Sequence, residues 1–165
     1  MIRTDRLILR RARPADLQDL HRVFTCAPAM RYWSEPPHQT LARTATYLDW
    51  LIAALPPEAD DFVVEHAGRV IGKAGMWRRS EIGMILHADH WRQGLMREAF
   101  AALIPYLFAT HDLDHLTAEA DPRNLPCLSL LAGFGFRETH RAERTLLWGD
   151  EWCDSVYLRL ERAPG

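Results

Sequence analysis

The chain has 165 residues, 48% of them hydrophobic and 25% charged, with a formal net charge of −2. That length suits one domain spanning residues 1–165 around a single core, and the near-neutral balance excludes a general attraction to nucleic acid or anionic membrane. No apolar run approaches the roughly 20 residues that cross a bilayer, and the charged opening Met1-Ile2-Arg3-Thr4-Asp5-Arg6 is unlike a signal peptide, so a cytoplasmic protein is expected.

Residues 2–11 alternate around Ile2, Leu7 and Leu9 and predict a first strand. Arg13-Pro14-Ala15-Asp16 opens a helix to about Thr25, with Leu17, Leu20, His21 and Phe24 at helical spacing. A loop from Pro28 to His38 carries Tyr32 and Trp33. Thr40 is an N-cap for a second helix, with Leu41, Ala45, Leu48, Ile52 and Leu55 on one stripe, and Pro56-Pro57 ends it. Phe62 to His66, a turn at Ala67-Gly68 and residues 69–77 predict a hairpin, and Arg78-Arg79-Ser80 turns into a fourth strand from Glu81 to Leu86. A third helix runs from Gly94 to about Ala109 with a kink expected at Pro105. Leu116 to Ala120 is a fifth strand, Asn124 caps a fourth helix that stops at Gly133 or Gly135, and Phe136 to about Arg144 is a sixth strand. A Gly-Asp turn within Leu146 to Trp152 leads to a last strand, Asp154 to Leu160, and the tail Ala163-Pro164-Gly165 is expected to fray. Cys26, Cys127 and Cys153 are too widely spaced for a disulfide framework or a metal pair, so reduced thiols and no metal are expected.

The stretch with a chemical use joins the fourth strand to the third helix. The first turn of a helix leaves several backbone N–H groups without partners, and the helix dipole adds positive charge there. A loop that ends in Gly94, where no Cβ intervenes, makes that helix end a cradle for phosphate, with Arg92 and Arg97 beside it.

Trp91-Arg92-Gln93-Gly94-Leu95-Met96 followed by Arg97-Glu98-Ala99 resembles the pyrophosphate loop of the GNAT acetyltransferases, and in particular the ribosomal-protein N-terminal acetyltransferase (RimJ/RimL-like) branch. Arg92 stands where that branch often has Gly, and Met96 where it has Gly or Ala. A second motif, from Asn124 through Leu131 to Gly135-Phe136, is similar to the family's Asn-x-x-Ser…Gly-Phe pattern, with Cys127 in the Ser position. The resemblance implies an α/β (α+β) fold with a mixed, mostly antiparallel central sheet of about seven strands and about four flanking helices. It implies direct transfer of an acetyl group from acetyl-CoA to a primary amine, with no metal. The chain is expected to act as a monomer or homodimer. Ile85, Leu86, His87, Arg92, Gln93, Gly94, Leu95, Met96, Arg97, Asn124 and Cys127 are then expected to hold the donor, with an oxyanion-binding backbone N–H near Ile85 or Leu86. Tyr32 and Trp33 are expected to wall the acceptor pocket.

Such a site needs a neutral amine, an oxyanion donor and a proton for the departing thiolate. Glu81, at the start of the strand facing the donor, is the first candidate for the base and a candidate acceptor-binding group. Glu65, His87, Asp89 and His90 are alternatives, and Cys127 is a candidate catalytic side chain or a packing one. An α-amine, with a pKa of about 7.7–8.0, is already about a tenth neutral at pH 7, whereas a lysine would need about 4–5 kcal/mol to deprotonate. One carboxylate therefore suits the α-amine of a protein N-terminus better than a lysine. A small amine such as a polyamine or aminoglycoside, which would call for an acidic cleft, and a CoA-binding module without catalysis are the alternatives.

Overall fold

The computed structural model describes residues 1–163, so of the tail expected to fray, Pro164 and Gly165 lie outside the described residues. In chain order the elements are β1 (Ile2–Arg3), β2 (Leu7–Arg10), α1 (Leu17–Phe24), α2 (Ala27–Met30), α3 (Leu41–Ala53), β3 (Asp60–His66), β4 (Arg69–Arg78), β5 (Glu81–Leu86), α4 (Leu95–Thr110), β6 (His115–Ala120), α5 (Leu125–Gly133), β7 (Arg137–Trp148) and β8 (Glu151–Glu161). The strands form one sheet in the order β1-β2-β3-β4-β5-β6-β8-β7. Every neighbouring pair is antiparallel except β5 and β6, which run parallel. A parallel pair needs a crossover, and α4 supplies it.

The expected mixed, mostly antiparallel sheet is present, with eight strands and five α-helices among the described residues rather than seven and four. Two differences account for the count. The first strand is broken, because Thr4 turns the chain: its N–H donates to Leu7 O and its Oγ1 accepts the Leu7 N–H, both at 3.0 Å. Such local side-chain bonds compete with a ladder. The aromatic loop opens with a four-residue helix, α2, which the proline at its first turn permits. The last hairpin is also longer than its polar sequence suggests: β7 continues to Trp148, and only Gly149-Asp150 turn. Pro105 lies inside α4 without ending it, since Leu103, Ile104 and Leu107 are buried on either side of it.

Both faces of the central strands are covered. Phe62, Val64, Ala74, Met76 and Ile82 pack with Phe100 and Leu103 of α4 and Leu131 of α5. Val63, Val70 and Ile85 point the other way, against Leu20, Phe24, Met30, Leu48 and Leu51 of α1, α2 and α3. This is why β3 and β4 are buried at successive positions rather than at alternating ones.

β5 lies unusually close to β4. A Cβ on Gly72 would stand 2.1 Å from Ile85 O, so only glycine admits this approach. Gly72→Ala is expected to destabilise the fold by about 1–3 kcal/mol, the range for overpacking a tight site, and urea denaturation should show the lowered midpoint.

Candidate active site

The parallel partners β5 and β6 share a single register pair, Glu81 with Thr117, next to a bond from Thr117 N–H to Ser80 O at 2.7 Å. Beyond it no ladder joins them, and the edge of β5 that faces β6 is left open. A cavity of about 650 Å³ occupies the gap, with Ile82, Gly83 and Met84 of β5 on one side and Ala118, Glu119 and Ala120 of β6 on the other. Asn124 and Cys127 of α5 also reach it. The open stretch of β5 is thus Ile82 to Met84. Ile85 and Leu86, expected to carry the oxyanion donor, do not line the cavity and are buried in the two core clusters instead.

The N-terminus of α4 has the backbone geometry that the expected cradle requires. Gly94 adopts φ +72° and Arg92 φ +59°, both left-handed. Glycine takes this conformation freely, whereas Arg92 is strained, which gives a reason for a glycine at that place in similar loops. The Glu98 N–H bonds to Gly94 O at 3.0 Å, and no side chain caps the helix. The N–H groups of Leu95, Met96 and Arg97 therefore have no intrahelical partner and suit a pyrophosphate. Met96 does not obstruct them, because its side chain packs on the core cluster. Other expected members are already occupied. The His87 N–H bonds to Ile71 O at 2.9 Å, the Gln93 side-chain amide bonds to Asp89 O at 3.1 Å, and the Arg97 guanidinium lies 5.9 Å from the Phe134 ring, against α5. Asn124 Oδ1 caps α5 by accepting the Cys127 N–H at 3.4 Å, which leaves its NH₂ as the group free for a donor arm.

Sequence reasoning missed what braces this loop. The turn between β1 and β2 clamps it: Thr4 Oγ1 and the Arg6 N–H both donate to Glu98 Oε1, at 2.5 and 2.8 Å, and Arg6 Nε donates to Glu98 Oε2 at 2.6 Å. Arg6 Nη1 also donates to Gln93 O at 2.9 Å. The Thr4 bond leads the interactions that hold the Glu98 carboxyl below its ordinary value. Trp91 completes the brace by donating its indole N–H to Leu86 O at 2.8 Å.

On the α3 side of the sheet the cavity gathers Tyr32, Trp33, Tyr47, Lys73 and Glu81, and Cys127 reaches it from α5 on the other side. Arg78 donates twice to Glu81 Oε2, at 2.8 and 2.5 Å, so the carboxylate is anchored at one oxygen. Tyr32 lies beneath two guanidiniums, Arg31 at 5.2 Å and Arg123 at 5.6 Å, and both arginines bond to Glu151 of the β7–β8 hairpin. Burial pushes the Cys127 thiol up to about 11, so it is a neutral thiol at pH 7. The alternative bases are elsewhere: Glu65 pairs with Arg10 at 2.6 Å, and His87, Asp89 and His90 form the turn that precedes the cradle.

The Acetyltransferase (GNAT) domain family matches residues 6–137, which include the cradle, both splayed strands and the α5 motif. This chain is a GNAT acetyltransferase. Among relatives, an uncharacterized N-acetyltransferase, p20, of Bacillus licheniformis is 27% identical over 144 residues, 82% of this chain and 81% of its own. A GNAT-family acetyltransferase of Bacillus anthracis superposes with a TM-score of 0.85 at 22% identity over 97% of each chain. The acetyltransferase of Salmonella typhimurium that modifies the N-terminal serine of ribosomal protein L7/L12 gives 0.84 at 13% identity over 96% of each. At these identities the two structures are evidence of fold. No helix among the described residues is long and apolar enough to cross a membrane.

Lys73 is the second feature the sequence hid. A lysine in a hairpin strand reads as solvated, yet its side chain is 1% exposed and paired with the fully buried Asp61, with the Tyr47 hydroxyl alongside and the Trp33 ring 5.5 Å away. The signal available was its setting between Gly72 and Gly75, where small neighbours admit a close-packed partner strand.

Two predictions follow from this geometry. Gly94→Asp places a side chain and a negative charge in the cradle, and calorimetric titration should show acetyl-CoA affinity reduced at least about tenfold. Lys73→Met strands the buried Asp61 carboxylate and is expected to cost about 3–5 kcal/mol at pH 7. Desolvation raises the folded-state value of Asp61 above the unfolded one of about 3.9. The folded variant therefore holds this proton more tightly than the unfolded chain, and its deficit should shrink as the pH falls toward about 4. Urea titrations at several pH values check both the size and the slope.

Proposed function

We propose that this chain transfers the acetyl group of acetyl-CoA directly to the α-amine at the N-terminus of a polypeptide. The observation that carries the reading is that the carboxylates around the cavity have partners. Glu81 bonds to Arg78, Asp61 to Lys73, Asp121 to Arg123, Glu119 to Ser155, and Asp154 to the Arg144 N–H. The walls also carry Arg31 and Arg43. A polyamine needs an excess of negative charge, and in this aromatic cavity Arg31, Arg43, Lys73 and Arg78 match Glu81, Glu119, Asp121 and Asp154 in number. A single ammonium on an otherwise neutral chain suits it better.

In this reading the pyrophosphate rests on the N–H groups of Leu95, Met96 and Arg97, and the Asn124 NH₂ steadies the arm in the gap between β5 and β6. The open backbone of Ile82 to Met84 meets the developing oxyanion. The acceptor enters from the α3 side past Tyr32 and Trp33, and Glu81 Oε1, which has no protein partner among the described residues, receives the ammonium and its proton. The neutral Cys127 thiol packs beside the reacting sulfur, which supports direct transfer over an acyl-enzyme.

The test is calorimetric titration with acetyl-CoA, followed by thiol release with N-terminal peptides and a polyamine and aminoglycoside panel. Release with peptides alone supports the proposal. Release with polyamines alone overturns the acceptor assignment. Glu81→Gln is expected to lower kcat/KM for the peptide at least about tenfold while acetyl-CoA affinity is unchanged. A variant as active as the wild type from about pH 6 to 9 would remove Glu81 from the proton path.

A further inference from the structure

A second carboxylate lines the same cavity as Glu81. Thr117 is the register partner of Glu81, and Glu119 lies two residues farther along β6, about 6.6 Å at 3.3 Å per residue and on the same face. Both carboxylates line the main cavity, and both also line a second hollow of about 260 Å³ walled by Thr139, His140, Tyr157 and Arg159. Glu81 and Glu119 thus form part of the shared wall between the two spaces. Glu119, unlike Glu81, is exposed to solvent.

The two are anchored alike. Glu81 is held at Oε2 by Arg78. Glu119 is held at Oε1 by the Ser155 hydroxyl at 2.5 Å, and Ser155 is 3% exposed. Ser155 has one proton and gives it to a carboxylate that can only accept, so the Thr145 hydroxyl, 2.5 Å from Ser155 Oγ, is the donor in that contact. The chain Thr145 to Ser155 to Glu119 runs one way and sets the carboxylate's orientation. A register shift in β7 between Ala142 and Leu146 places Thr145 at the cavity. Among the described residues, each carboxylate keeps one oxygen without a protein partner.

Resting on the acetyl-transfer reading above, we infer that Glu119 is a second catalytic carboxylate: the acceptor ammonium is held between Glu81 and Glu119, and Glu119 Oε2 takes the proton that must leave before attack. An ammonium has three N–H donors, so two carboxylates can hold it while one accepts a proton. The nitrogen lone pair then attacks the thioester carbonyl carbon, the C–N bond forms, and the C–S bond breaks with its electron pair on sulfur. A second proton, lost from nitrogen to Glu81 Oε1, passes on to that sulfur, which leaves as the thiol. The first passes from exposed Glu119 to solvent, so ammonium and thioester become amide, thiol and one proton. Ser155 and Thr145 are positioning residues.

The experiment measures thiol release from acetyl-CoA and an N-terminal peptide as a function of pH. Glu119→Gln should lower kcat about 10²-fold near pH 6.5, as for loss of a positioned base, with KM for acetyl-CoA unchanged. The wild-type-to-variant ratio should shrink as the pH passes the amine's own pKa of about 7.7–8.0, because the acceptor then arrives neutral. Ser155→Ala should lower kcat in the same pH-dependent way, and Ser155→Thr should restore it. A ratio that stays constant with pH, or a Glu119→Gln enzyme equal to the wild type at pH 6.5, overturns the assignment while leaving acetyl transfer intact. A wild-type chain that releases no thiol with any amine overturns both.

Discussion

The parallel contact between β5 and β6 is limited to one residue pair, Glu81 with Thr117, in a sheet whose other pairings run antiparallel. A parallel ladder would have sealed the gap; its early end leaves backbone amides and a cavity where a thin extended arm can lie in the plane of the sheet. α4 fills the crossover between the two strands and brings its unpaired N–H groups to the open end of the gap. α5 begins soon after β6 and delivers Asn124 and Cys127 to the same space. The slot between the strands and the cavity face toward α3 are consequences of that one interruption.

An open gap costs stability that the surroundings must supply. The turn at Thr4 to Arg6 ties Glu98 and Gln93 from outside, and Trp91 ties the loop to the end of β5. The acceptor side is braced by charge. Arg31 and Arg123 converge on Glu151, which joins the aromatic loop to the β7–β8 hairpin across the cavity mouth. Beneath them the Lys73–Asp61 pair is nearly dry. Such a pair is weak evidence for stability relative to an apolar core, but it is costly to break on one side. It also seats the Lys73 ammonium 5.5 Å from the Trp33 ring.

Much of this was legible in sequence, because it rests on local periodicity and on residues whose backbone roles are narrow. The stripe along α4, the Gly94 that opens it, the hairpin turn at Ala67-Gly68 and the Asn124 cap are each decided within a few residues of chain. The family resemblance rested on the same local motifs, and the match over residues 6–137 bears it out. The differences fall where long-range contacts prevail over local pattern. β7 runs on past the expected end near Arg144 to Trp148, through a polar, exposed sequence, because β8 pairs with it. The turn between β1 and β2 is tied to Glu98, more than ninety residues away.

The sequence by itself determined the order of the main elements, the helix start at Gly94 and the presence of Glu81, Tyr32, Trp33, Asn124 and Cys127 as candidates. These follow from helix and strand periods and from residue chemistry that a neighbour cannot change. Only the tertiary structure decided which candidates meet. It gathered those five around one cavity, moved the open backbone from Ile85 and Leu86 to Ile82 through Met84, and set Glu65 and His90 apart. It also revealed Lys73, Glu119 and Ser155, since burial, strand register and the direction a side chain faces arise between strands and cannot be read along one.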